Sequence, residues 1–300
     1  MSYQIIEIPN KSYGAIEQIG TKEKFWYNDK RDNTKKLFKI GRPGTGENWA
    51  EKATCELAKL IGLPCADYEF AIWNGKEGVL SPLFLPKNAI LIHGNEILVR
   101  IEENYPQNKS YKVREHKLKT VLAIIRGCQL PIGYEENDII KKPLDLFIGY
   151  LMFDCWISNP DRHHENWGLV YDVSNKVFHL APTYDHASGL GCRVSDKERL
   201  ERLNTMDKKY NIDAFVGRIK SAFYDNLSQL KTLNAFNVAA KFNPNAANYW
   251  SNKITSISRG QLESIFKEIP NTLISQAACE FALAILEANK KRLIESMKND

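Results

Sequence analysis

No two of the six cysteines, Cys55, Cys65, Cys128, Cys155, Cys192 and Cys279, stand in a CxxC spacing, and most lie among apolar residues. That pattern argues against a zinc ribbon or a disulfide framework and for buried, reduced thiols. Apolar runs long enough to cross a bilayer are also missing: the longest, LFIGYLMFDCWI, is interrupted by Asp154, so no transmembrane segment is expected. The opening MSYQIIEIPNKSYG lacks the basic-then-apolar order of a secretory signal. A cytoplasmic location is therefore expected, with delivery into a host by a route without a cleavable signal left open. Dense basic blocks are absent as well. Lys and Arg number 41 against 36 Asp and Glu, a net charge of +5 spread along the chain, and no direct nucleic-acid partner is expected. Repeats and low-complexity tracts are missing, which removes solenoid and linker architectures.

What is present is an ordinary folded composition. Hydrophobic residues make up 43% and charged residues 26% of 300 residues, enough for two packed lobes. The character of the chain changes near residue 110. Before it, β-forming runs at roughly 14–19, 24–28, 36–40, 67–73, 77–84 and 96–101 are separated by Gly, Asn, Asp and Pro. One helix, ENWAEKATCELAKLIGL, interrupts them and carries Trp49, Ala53, Leu57, Leu60 and Ile61 on one face, with Gly62 as its stop. After it, amphipathic helices are predicted over about 112–127, 142–157 (opening at Pro143) and 272–297. A hairpin, Trp167–Tyr171 and Val177–Leu180 around Ser174 and Asn175, lies between the last two. The expected division is an N-lobe of 1–95, a hinge region of 96–111 and a helical C-lobe of 112–300, acting as a monomer.

Three polar residues stand out at the start of that hairpin and just beyond it. Asp161 and Asn166 lie five apart in a loop after an apolar helix, and Asp185 follows where the chain returns. Phosphoryl transfer needs a base that orients a hydroxyl, charge neutralisation, and metal ligands near the phosphates. Asp161 suits the base, while Asn166 and Asp185 offer the hard oxygen donors that magnesium takes. Adjacent His163 and His164 do not have the spacing of a zinc-binding helical pair. In the sheet half, Lys39 in KKLFKI can reach a phosphate if a carboxylate orients it, although Lys35 and Lys36 share its surroundings. On the next helix Glu47, Glu51 and Glu56 all compete as its partner. The turn Ile19-Gly20-Thr21-Lys22 could cover phosphates with backbone N–H groups, though one glycine is a weak signal. Asp145 and Asp154, charged positions within an apolar helix, read as hydrogen-bond partners.

NPDRHHENWGLV followed by HLAPTYDHAS, together with WAEKATCELAKLIGL, resembles the HipA-like kinases, a group distantly similar to the phosphatidylinositol 3- and 4-kinases. The resemblance covers roughly residues 15–190. It implies an α+β, bilobal protein-kinase-like fold with a small β-rich N-lobe and a larger helical C-lobe. It implies catalytic roles for Asp161, His163, Lys39 and Glu51, with Glu51 selected over its neighbours by the LAKxxGL end of the helix. Gly20, Thr21, Lys22 and Lys24, with Lys39, would hold the nucleotide, and Asn166 and Asp185 would bind the metal. ATP and Mg2+ are the implied cofactors, a Ser or Thr hydroxyl on a protein the implied acceptor, and an antitoxin protein a candidate partner. Thr21 would be the candidate for self-modification. The chain departs from full-length HipA in lacking its extra N-terminal subdomain and a fused helix-turn-helix, and in having GTKEKF for a serine-containing turn. A phosphoinositide-type lipid kinase and a catalytically silent partner-binding pseudokinase are the alternatives.

Overall fold

The computed structural model describes residues 2–10, 23–106, 108–226 and 228–298. The first lobe is a five-stranded sheet built from β1 (Ile5–Glu7), β2 (Lys24–Asp29), β3 (Thr34–Ile40), β4 (Glu69–Trp73) and β5 (Lys76–Pro82). Its order is β1-β4-β5-β3-β2, antiparallel except for the parallel β1–β4 pair. Strand alternation sorts the side chains between two faces. Phe25, Tyr27, Phe38, Ala71, Trp73 and Leu80 form a small outer core. Lys24, Trp26, Leu37, Lys39 and Ser81 point the other way, into a cavity.

Helix α1 (Glu47–Leu60) connects β3 to β4 and packs against β4 and β5. Its apolar face, with Trp49, Ala53 and Leu57 all buried, joins the main core, and Gly62 at φ +73° ends the helical run where a side chain would be strained. The second lobe is organised around α4 (Pro143–Trp156), in which all fourteen residues are buried. Proline at its first turn sacrifices no intrahelical bond, and the Asp145 carboxylate accepts the backbone N–H groups of Lys141 and Lys142 at 3.2 and 2.9 Å. Around α4 pack α3 (Leu118–Arg126), α7 (Thr232–Ala240), α8 (Pro244–Thr255) and the long α10 (Gln276–Lys298).

The hairpin forms as β7 (Gly168–Asp172) and β8 (Val177–Leu180). It gains a third strand, β6 (Ala89–His93), antiparallel to β7. This moves the lobe boundary. Since β6 is already hydrogen-bonded to the helical lobe's hairpin, the crossing lies at 83–88, ahead of the expected 96–111. The strand expected at 96–101 is instead α2 (Gly94–Leu98) followed by a turn, because the Glu96 carboxylate caps the helix by accepting the His93 N–H at 3.0 Å. The helix expected from 112 begins at Leu118: Lys112 sits at φ +55° and Lys117 bridges to Tyr224.

Residues 14–19 and the turn Gly20, Thr21 and Lys22 lie outside the described residues. The remaining elements, α5 (Asp196–Asn204), α6 (Ile212–Val216), the hairpin β9 (Lys220–Tyr224) and β10 (Gln229–Lys231), and α9 (Arg259–Lys267), fill a region for which the sequence suggests only helical character. Among the described residues, no helix is long and apolar enough to cross a membrane.

Candidate active site

A cavity of about 460 Å3 lies between the sheet and the β6–β8 hairpin. It brings together Lys24, Lys39, Asp161, His163, Asn166 and Asp185 at its lining, with Glu51 directly behind Lys39. The three lysines of β3 separate by their partners. Lys36 is held by Asp29 and Asp32 at 2.9 and 2.6 Å, and the Lys35 ammonium lies over the Trp26 ring. Lys39 Nζ instead sits 3.0 Å from Glu51 Oε2 and 3.2 Å from Asp185 Oδ1, above the Tyr68 ring. Burial works against its charge, yet the Asp185 and Glu51 carboxylates more than offset it, keeping its pKa well above the ordinary lysine value. The three glutamates of α1 separate too. Glu47 pairs with Arg42 and Arg193, and Glu56 with Lys52 and Lys59, leaving Glu51 as the one that faces Lys39.

The loop between α4 and β7 is bolted down from beneath. Arg162, 1% exposed, makes a two-pronged contact with Asp154 of α4 at 2.8 and 2.7 Å and also donates to the Asn166 carbonyl and His186 Nε2, each at 3.0 Å. Asn159 donates to the same Asp154 carboxylate at 2.8 Å, and its own side-chain oxygen accepts the Asp161 N–H at 3.1 Å. So the buried charge of Asp154 is fully matched, as a buried carboxylate must be. Holding this network in place fixes the backbone on either side of Asp161.

Asp161 presents its carboxylate to the cavity, with Oδ2 accepting from Ser188 Oγ at 2.9 Å and Oδ1 3.7 Å from His163 Nε2. The His163 Nδ1 accepts the Glu165 N–H at 3.2 Å, which places the ring proton on Nε2, facing Asp161. Burial raises the Asp161 pKa above the ordinary carboxylate value; His163 pulls against this, and the charge of Asp185 adds to it. Asn166 donates Nδ2 to the Asp161 carbonyl at 2.7 Å, so its oxygen is the end left for the cavity. Asp185 adopts φ +57°, tolerated by aspartate, with its N–H on the Tyr68 hydroxyl. The following residue ties the segment to α1: His186 N–H donates to Glu51 Oε1 at 2.8 Å. One glutamate thus braces both the lysine and the Asp185 segment.

A carboxylate and an amide oxygen facing one cavity are a hard, all-oxygen donor pair, which fits magnesium completed by phosphate and water oxygens. Among the described residues, no group of three or more His, Cys, Asp and Glu side chains is arranged to hold a metal ion by itself.

No protein-family model matches the chain, and no curated protein matches it in sequence. Solved structures do. The proinflammatory kinase CtkA of Helicobacter pylori superposes with a TM-score of 0.72 at 19% identity, over 100% of this chain and 97% of that one. The HipA of a Shewanella oneidensis toxin–antitoxin system, solved with HipB and its operator DNA, superposes with a TM-score of 0.60 at 11% identity, over 98% of this chain and 70% of that one. The chain has the fold of the HipA-like kinases.

Within this HipA-like fold, several cavity residues carry no signal in the sequence. The crossing segment contributes Leu83, Phe84 and Leu85, and the opposite wall Ala66, Leu91 and Tyr184. Phe84 and Tyr184 stack with ring centroids 6.0 Å apart. His93 Nδ1 lies 2.9 Å from the Glu165 carbonyl and 3.0 Å from the Tyr184 hydroxyl. Outside the lining, Ser188 on Asp161 and Arg193 on Ser188 carry no such signal either, although DHAS lies inside the segment that carries the family resemblance.

Proposed function

We propose that this chain is an ATP- and magnesium-dependent kinase that transfers the γ-phosphoryl group to a Ser or Thr hydroxyl of a protein. The observation that carries this reading is the convergence of Lys39, braced by Glu51 at 3.0 Å, with Asp185, Asn166 and Asp161 on one cavity. Lys39 neutralises phosphate charge from the sheet side. Asn166 and Asp185 hold magnesium, which when bound supplies further neutralisation of the phosphates. Asp161 accepts the hydrogen bond of the incoming hydroxyl and takes its proton, and His163 holds that carboxylate in orientation. The apolar wall of Leu37, Ala66, Leu91 and Tyr184 takes the base, while Lys24 at the cavity lining meets the phosphates.

The HipA of Shewanella oneidensis was solved with a partner protein, which supports a small antitoxin-like protein as the partner of this chain. Labelled ATP with magnesium, the purified chain and a cytosolic extract provide the test, with protein and lipid separated afterwards. Label on serine or threonine of a protein is expected. Label in the lipid fraction overturns the protein acceptor, and no magnesium-dependent turnover overturns the kinase.

A further inference from the structure

Between α2 and α3 the chain lies along the loop that carries Asp161. The Tyr105 hydroxyl and His164 Nδ1 are 2.7 Å apart, Ser110 donates to Glu165 Oε1 at 3.1 Å, and the Tyr111 ring stands edge-on to His163 with centroids 5.4 Å apart. His116 accepts the Trp167 indole N–H at 3.0 Å, and Lys117 bridges to Tyr224. Pinned at both ends and in the middle, the segment has a fixed course beside the candidate base. Ser110 and Tyr111 reach the cavity lining with Asp161 and His163, and the Tyr111 side chain stays half exposed there.

What this segment exposes is positive charge. Residues 108–119 hold Lys109, Lys112, Arg114, Lys117 and Lys119 against one acid, Glu115. Val113, His116 and Leu118 are buried and interrupt the run, so it reads as no basic block in the sequence. Among the described residues, none of these five cations is in an ion pair. Neighbouring like charges repel one another, a cost that an anionic ligand removes. Lys112 adds a second cost, since its φ of +55° is uncommon for a lysine. It follows Tyr111 directly, where the backbone bends at the cavity mouth.

We propose that this segment is where the acceptor protein docks and that it selects an acidic one, a Ser or Thr with Asp or Glu beside it in its own chain; this rests on the kinase reading above. Asp161, Asp185 and the bound triphosphate make the centre of the cavity negative, so an acidic peptide gains nothing there. Its carboxylates are held at the rim by Lys109, Lys112 and Arg114, while Tyr111 supports the backbone next to the hydroxyl that reaches Asp161. Lys117 and Lys119 extend the positive field and speed encounter. Tyr111 is the one large apolar side chain exposed in 108–119. A single aromatic gives no ladder on which successive bases stack, and no aliphatic side chain is offered to a bilayer, so a protein is favoured over single-stranded RNA or a membrane.

The probes are fluorescent peptides with a central Ser flanked by Glu, by Gln or by Lys. The full-length chain is given them with magnesium and ATP to measure transfer, and with magnesium and a non-hydrolysable ATP analogue to measure binding by anisotropy. The Glu peptide is expected to show a KM about tenfold or more below that of the Gln peptide, an advantage that shrinks as salt rises. The triple variant Lys109→Gln, Lys112→Gln, Arg114→Gln should abolish that advantage in both readouts and leave kcat and the KM for ATP unchanged. Equal KM for the Glu and Gln peptides, tighter binding of the Lys peptide, or an advantage that survives the triple variant overturns the proposal and leaves the kinase reading intact. So does tighter binding to phosphatidylserine vesicles or to oligouridylate, which assigns the segment to a membrane or to RNA. If neither a peptide nor an extract protein takes label, the kinase reading falls. Anisotropy then decides alone: preferential binding of the Glu peptide keeps the acidic partner, and its absence overturns it.

Discussion

The two ends of the cavity are built differently. At the end near Asp185 each functional side chain is gripped by another polar group: Lys39 by Glu51, Asp161 by Ser188, Asn166 by the Asp161 carbonyl. At the crossing segment the wall is apolar, made by Leu83, Phe84 and Leu85 against Leu91 and Tyr184. The first end specifies directions, since a hydrogen bond in a dry site is strong and narrow in angle. The second specifies a shape, which many side chains of similar volume can supply. The polar end should therefore fail abruptly on substitution, and the apolar end by degrees.

The largest effect is expected beneath the polar end. Arg162→Met leaves the Asp154 carboxylate buried and unmatched, and should lower stability by about 3–5 kcal/mol in urea unfolding. A loss under about 1 kcal/mol would show that the network is ornamental. Next come the two aspartates, which should fail in different ways. Asp161→Asn cannot take the proton, so turnover should fall by about 10² or more while magnesium-dependent ATP binding survives. Asp185→Asn removes charge that compensates the cation, so metal-dependent nucleotide affinity itself should drop and excess magnesium should partly restore it. Calorimetry with and without magnesium separates them, and the opposite pattern would reverse their roles.

A smaller term is the coupling of Lys39 and Glu51. Each alanine variant should lower turnover, and the double variant should lose less than the sum, by about 0.5–3 kcal/mol. Strict additivity would argue against a working ion pair. The mildest change belongs to the apolar end: Phe84→Ala should raise the KM for ATP about tenfold and leave kcat near its starting value. A collapse of kcat there would break the contrast between the two ends.

The same contrast explains what could be read in the sequence. Asp161, Asn166 and Asp185 are chemically distinctive and lie near one another along the chain, and the alternation of β3 already puts Lys39 and Phe38 on opposite faces. Both lobes were legible, since four of the six expected sheet-lobe strands form close to their expected places. The crossing at 83–88 was not, because SPLFLP reads as a plain strand end and its position depends on β6 pairing with a hairpin some eighty residues on. The same holds for β1 and for the β9–β10 hairpin, which are short and pair without any local signature. The choice among Glu47, Glu51 and Glu56 needed the family resemblance, and the structure makes it by giving the other two partners of their own.

The chain's first described residues add a further stitch between the two lobes. Tyr3 donates its backbone N–H to the Glu268 carbonyl beyond α9 at 2.7 Å, and two residues later the chain enters the sheet as β1 on the edge of β4. With the crossing at 83–88 and the backbone bonds of Gly46 to Cys192, of Ala66 to Thr183 and of Thr183 to Pro64, the lobes are sewn at several points among the described residues, so the molecule resembles a bound book more than a hinge on one pin. A book sewn along its spine can open its fore-edge but resists twisting or sliding of one cover over the other. For the proposed kinase, exchange of spent for fresh nucleotide would then proceed by parting the lobes at the mouth. Cutting the first seam, by removing residues 2–8, should quicken that exchange.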